Sequence, residues 1–183
     1  MPVVFDSSFL IPLFDSRYGE RGKTDPRLSY LLATLERDKT GVIIPAPALS
    51  EVLIRAGDAA PRYLSAINLS SQLRVAPFAE RAAVEAAAAH REAIRAGDKK
   101  EGSPSWAKVK FDRQIISIAI VEGATAIYSE DDDIRRLAAN TAIEFYRLAD
   151  LPYPPPPPPE PPPRPQSGDL FEELSPEDPP PED

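Results

Sequence analysis

The chain has 183 residues, a net charge of −8 and 23 prolines, but charge and proline are concentrated at one end. Residues 151–183 hold fifteen of the prolines and eight acids against the single base Arg164, which leaves residues 1–150 at a net −1. The acidic balance therefore does not exclude nucleic acid as a partner of the first 150 residues. The absence of cysteine excludes a disulfide framework, a thiolate nucleophile and a Cys-ligated zinc.

Residues 2–6 form an apolar run that ends in Asp6 and reads as a buried strand, with Ser7 and Ser8 placed to cap a helix over 9–14. An acid at position 6 and no basic segment ahead of it argue against a secretory signal, so a cytoplasmic protein is expected. Asp25-Pro26 has the form of a helix start, and Leu28, Leu31, Leu32 and Leu35 follow at helical spacing until Gly41. A second strand is expected over 41–44, broken by Pro45 and Pro47. A helix over 48–56 follows, with Leu49, Val52, Leu53 and Ala56 inward and Gly57 at its end. A helix over 61–70 leads to a third strand over 73–78.

The alanine-rich segment 79–96 is a strong helix former, and His90 on its Ala83, Ala87 and Ile94 face reads as a packed boundary residue. As the single histidine, it would have to serve any Ser-His-Asp triad. After a polar loop over 98–104, a helix over 106–122 carries Asp112, Ile115, Ile116, Ala119 and Ile120 on one stripe. No apolar run here or elsewhere reaches the roughly 18 residues of a membrane span. A fourth strand over 124–128, an acidic turn, a helix over 134–139 and a fifth strand over 143–146 complete the pattern. Arg-Ala-Gly-Asp occurs at Arg55 and again at Arg95, in both places as a helix end.

Strands alternating with helices predict an α/β domain over 1–150: a parallel sheet of four to five strands, with helices in layers on both faces. Residues 151–183 are expected to form a disordered, proline-rich acidic tail. Within it, 154–165 should be a polyproline II spacer of roughly 37 Å, and nothing beyond Pro152 should pack.

Open parallel sheets bind ligands outside the carboxyl ends of their strands, and four acids fall there. Asp6 ends strand one, Glu51 lies early in the helix after strand two, and Asp131 follows strand four. Asp112 lies about 15 Å up its helix from the bottom of the sheet, level with Asp131. Each has a second reading: Asp6 and Asp131 as helix caps, and Glu51 as the i, i+4 partner of Arg55. Asp112 is the hardest to explain this way, because a carboxylate on a core-facing stripe is costly without a partner. Four converging acids repel one another. No lysine or arginine ends a neighbouring strand, so a hard divalent cation, Mg²⁺ or Mn²⁺, is the expected counter-charge. Such a site can hydrolyse phosphodiesters without a side-chain nucleophile.

Val3-Val-Phe-Asp6-Ser-Ser, Ala48-Leu-Ser-Glu51-Val-Leu, Phe111-Asp112-Arg-Gln-Ile-Ile-Ser-Ile-Ala119 and Ile127-Tyr-Ser129-Glu-Asp131-Asp-Asp133-Ile, in that order, resemble the motifs of PIN-domain nucleases. The set is most similar to the VapC-type toxins of type II toxin–antitoxin systems, over about residues 1–148. The resemblance implies a three-layer α/β/α fold with sheet order 3-2-1-4-5 and a metal-dependent endoribonuclease activity. By it, Asp6, Glu51, Asp112 and Asp131 are the catalytic, metal-binding quartet, Asp133 is an auxiliary acid and Ser129 is a supporting hydroxyl. Whether Asp131 or a neighbour in Asp131-Asp132-Asp133 is the fourth ligand stays open.

The expected partners are an RNA substrate, a cognate antitoxin protein and a second copy of the chain. Lys108, Lys110 and Arg135 are the first candidates to contact RNA phosphates, with Lys99, Lys100 and Arg136 nearby. The alternative is a PIN-like binding scaffold whose proline-rich tail recruits a protein partner.

Overall fold

The computed structural model describes residues 1–18, 25–98, 100, 102, 103 and 105–156. The elements run in chain order β1 (Val3–Phe5), α1 (Ser7–Tyr18), α2 (Pro26–Arg37), β2 (Val42–Pro45), α3 (Ala46–Ala56), α4 (Ala60–Leu69), β3 (Leu73–Ala76), α5 (Glu80–Arg95), α6 (Trp106–Val121), β4 (Ala126–Tyr128), α7 (Asp132–Ala138) and β5 (Glu144–Tyr146). Short 3-10 turns at Gly57–Ala59 and Leu148–Asp150 complete the list.

All five strands are parallel, in the order β3-β2-β1-β4-β5. Val4 pairs with Ile43 on one side and Ile127 on the other, so β1 is the central strand. The side-chain period of two divides the core between two faces. Val3, Phe5, Val42, Ile44, Ala126 and Tyr128 point to the layer of α1, α2, α3 and α4. Val4, Ile43 and Ile127 point to Ala82 of α5, to Ile115, Ile118 and Ala119 of α6, and to Ile134 of α7. Burial on both faces explains why these strands read as continuous apolar runs.

The expected α/β layers and sheet order are therefore the observed ones, with shifts at element ends that have local causes. The Asp6 carbonyl accepts from Phe9 and Leu10 N–H (3.0 and 3.1 Å), so α1 starts at Ser7 and not at residue 9. The Asp131 carboxylate accepts from Asp133 N–H at 2.7 Å, which starts α7 at Asp132, two residues early. β4 is three residues long, not five, because Ala124 N–H is spent on the Ala119 carbonyl at the end of α6. α6 is buried well beyond one stripe, with Val109, Arg113, Ser117 and Ile118 enclosed as well as Asp112. His90 packs edge-on against Trp106, ring centroids 4.9 Å apart.

Among the described residues no helix is long and apolar enough to cross a membrane. The packed chain runs through Leu151, which is buried in the α1–α4 side of the core. Beyond it Tyr153 is exposed, yet its ring lies 5.1 Å from the Arg27 guanidinium, so the chain after Pro152 does touch the domain. The remainder of the expected tail, 157–183, lies outside the described residues. Leu151→Ala should lower stability by about 2–4 kcal/mol through loss of buried apolar volume. For a domain of this size that is a fall in Tm of several degrees, measured by thermal unfolding. A Tm unchanged within a degree would show that the core closes before Leu151.

Candidate active site

The site is built where β1 and β4 end side by side. Asp6 leaves β1 directly into α1, and its carboxylate is almost fully buried. Ser129, fully buried one residue past β4, donates its hydroxyl to Asp6 Oδ2 at 2.8 Å. Ser8 Oγ lies 3.3 Å from the same oxygen. The two serines are in turn fixed by the backbone after β4: Asp131 N–H donates to Ser129 Oγ at 3.1 Å and Glu130 N–H to Ser8 Oγ at 3.0 Å. Burial pushes the Asp6 carboxyl above the usual carboxylate range, against the lowering effect of the Ser129 and Ser7–Ser8 hydrogen bonds.

Asp112 projects from the second turn of α6 and is 4 % exposed. Burial pushes its carboxyl up to about 6, although Lys108 pulls it down; Asp131 and Asp6 add to the rise by like-charge repulsion. The height argument that placed Asp112 level with Asp131 agrees with the structure, because both carboxylates reach one ammonium. Lys108 Nζ donates to Asp112 Oδ2 at 3.0 Å, to Asp131 Oδ2 at 2.8 Å and to Asp133 Oδ2 at 2.5 Å. Burial alone would lower the Lys108 ammonium, but the hydrogen bonds to Asp131 and Asp112 outweigh it and hold it above its usual value.

This position corrects two expectations. The counter-charge seen for the acids comes from within the chain, one helical turn before Asp112. Lys108, expected to face RNA phosphates, instead faces the carboxylates. The i, i+4 spacing of Lys108 and Asp112 was the signal available in the sequence.

The other expected residues are distributed around the same edge. Glu51, exposed on α3, accepts the Ser7 hydroxyl at 2.6 Å and does not pair with Arg55, which lies 3.9 Å from Asp15. Asp133 is held by Lys108, Arg136 and Ser103 Oγ, and so is tied to the site through the lysine. Asp131 is both the cap of α7 and a member of the cluster, so its two readings are compatible. Arg135 is exposed and pairs with Asp132 at 3.0 Å, and Lys110 is exposed on α6. Lys99 lies outside the described residues. Ser7 and Ser8, expected only as helix caps, hold Glu51 and Asp6.

Asp6, Ser7, Glu51, Lys108, Asp112 and Asp131 line a common cavity of about 450 Å³, with Glu130 and the apolar Phe111, Ile115 and Ile134. Five carboxylates against one ammonium leave this cavity negative. Its donors are all oxygens, and the ammonium itself shows that a cation is taken up among them, so donor chemistry and charge suit Mg²⁺ or Mn²⁺. Among the described residues, however, no three such side chains are arranged to hold an ion as they stand.

The model of the PIN domain matches residues 3–140. The chain belongs to the PIN-domain family. Comparison with curated protein sequences returns no match. Among solved structures, this PIN domain is similar to VapBC2 from Rickettsia felis bound to a DNA fragment from its promoter, at 14 % identity and a TM-score of 0.56 over 80 % of this chain and 98 % of that one. It is similar to DNA-bound VapBC from Salmonella typhimurium at 16 % identity and a TM-score of 0.51, over 81 % and 98 % of the two chains. A third similar structure is Mycobacterium tuberculosis VapC20, a Sarcin-Ricin loop cleaving toxin, at 20 % identity and a TM-score of 0.47 over 78 % and 98 %. At such identities the likeness is one of fold.

The raised Asp112 carboxyl sets the sign of a pH effect. Its folded value of about 6 lies above the roughly 3.9 of an unfolded chain, so ionised Asp112 opposes folding. That cost is absent below pH 4, grows between pH 4 and 6 and is constant above. Asp112→Asn should therefore gain on wild type by a few degrees of Tm between pH 4.5 and 7.5, in EDTA. Melting curves that keep the same separation at both values would show an ordinary carboxyl.

Proposed function

We propose that this PIN domain is a Mg²⁺- or Mn²⁺-dependent endoribonuclease acting as the toxin of a type II toxin–antitoxin pair. The observation that carries the nuclease reading is the gathering of Asp6, Asp112 and Asp131 from three separate elements into one negative cavity at the carboxyl edge of the sheet. A binding scaffold has no use for carboxylates whose burial and mutual repulsion oppose folding. Asp6, Glu51, Asp112 and Asp131, which line the cavity together, would hold the cation. When bound, the cation supplies the Lewis acidity that phosphodiester hydrolysis requires.

The chain's own part is positioning. Ser129 and Ser8 fix the Asp6 carboxylate in one orientation, and the rigid turn after β4 fixes the serines. Ser7 holds Glu51 toward the same cavity. The exposed cations Lys110 on α6 and Arg135 on α7 are the candidates to meet phosphates of an RNA chain without reading its sequence. The antitoxin partner and a toxin homodimer rest on the likeness of the four sequence motifs to VapC-type toxins, and the VapBC complexes of similar fold support a protein partner.

The purified full chain should cleave single-stranded RNA in Mn²⁺ and not in EDTA. Asp6→Asn and Asp112→Asn should each lower the rate by about a hundredfold or more, the size of effect expected when a group that stabilises the transition state is lost. Their circular dichroism should match wild type. Asp112→Asn cutting at the wild-type rate would overturn the assignment of the site.

A further inference from the structure

We propose that Lys108 is a tethered competitor of the divalent cation, so that loading the site with metal and expelling the Lys108 ammonium from it are one coupled exchange. The proposal rests on the metal-dependent reading above and concerns the regulation of that site. Its basis is geometric. One ammonium bridges carboxylates from three places in the fold: Asp112 on α6, Asp131 at the start of α7 and Asp133 within it. Asp112 and Asp131 line the cavity itself, and Lys108 lines it with them. An ammonium with three acceptors at 2.5–3.0 Å has used all three of its donors, and is therefore bound as a cation would be.

A divalent ion on Asp112 and Asp131 and the ammonium in its present place would be two cations sharing the same oxygens. Their repulsion at such distances makes joint occupancy unfavourable. Lys108 is able to leave. Its side chain is 38 % exposed, whereas Asp112 is 6 % exposed at its side chain and cannot follow it out. A lysine stem is flexible and its head is readily rehydrated, so departure returns the charge to water at low cost. The carboxylates are thus neutralised in both states, by the lysine without metal and by metal with the lysine outside. Once outside, the ammonium is still tethered at the mouth of the cavity, close to where a phosphate would arrive.

The exchange has readouts of two kinds besides cleavage, the first on a variant and the second on the wild-type protein. In titration calorimetry, Lys108→Met should bind Mn²⁺ about tenfold more tightly than wild type, since no ammonium has to be displaced. In EDTA the variant should melt below wild type, and saturating Mn²⁺ should close most of that gap. The second readout uses the wild-type protein, so it does not depend on the variant folding. Acetic anhydride labelling followed by peptide mass spectrometry should show Lys108 reacting several times faster with Mn²⁺ present, while exposed Lys110 is unchanged. Equal Mn²⁺ affinity in the two proteins, or labelling of Lys108 that ignores Mn²⁺, would overturn the exchange and leave the nuclease reading standing. Absence of Mn²⁺ binding in both proteins would overturn the two together.

Discussion

The central position of β1 is the constraint on which the rest of the molecule depends. A three-residue strand paired on both sides delivers Asp6 to the carboxyl edge with β4 immediately beside it. Ser129 follows β4 in the register of that pairing, and its hydroxyl can reach the Asp6 carboxylate only because Phe5 and Tyr128 are direct partners. A slip of one residue in either strand would turn the apolar side chains to the wrong faces and remove Asp6 from Ser129. Hydrophobic patterning and site geometry are therefore specified by the same register.

Burial of carboxylates opposes folding, and this domain answers it differently at its two most enclosed acids. Asp6 is compensated by neutral donors, the hydroxyls of Ser129 and Ser8, which lock its orientation but supply no positive charge. Asp112 is compensated by an ammonium on its own helix, which supplies charge but is held only at the end of a long stem. The rigid compensation belongs to the residue whose position the sheet fixes, and the movable one to the residue carried by a helix. Such an arrangement suits a site that exchanges one cation for another.

A second, larger cavity of about 810 Å³ lies between α5, α6 and the chain that enters β5, lined by alanines of α5 together with Arg113, Ile116 and Ser117. Asp112 and Arg113 are adjacent in sequence, yet they face different cavities on the two sides of α6. This is why Arg113 does not relieve the charge on Asp112, and why the counter-charge had to come from a residue one turn away.

The alternation of apolar runs with helical spacing was enough to determine the layers, because strands covered on both faces must be apolar throughout and helices must carry a stripe. Asp25-Pro26 and the glycines at 57 and 97 marked helix ends, since backbone chemistry at those points is local. The four acids could be placed at one edge because strand ends and helix rise are fixed lengths. The sheet order entered through the resemblance to PIN-domain nucleases, because short strands do not reveal their neighbours by pattern alone. What the sequence could not show was which groups satisfy which acid. The hydroxyls of Ser7 and Ser129, and the Lys108 ammonium beyond its own-helix partner Asp112, find their acceptors across as many as 123 positions of sequence. That choice depends on side-chain directions at meeting strand and helix ends, and these exist only once the sheet has formed.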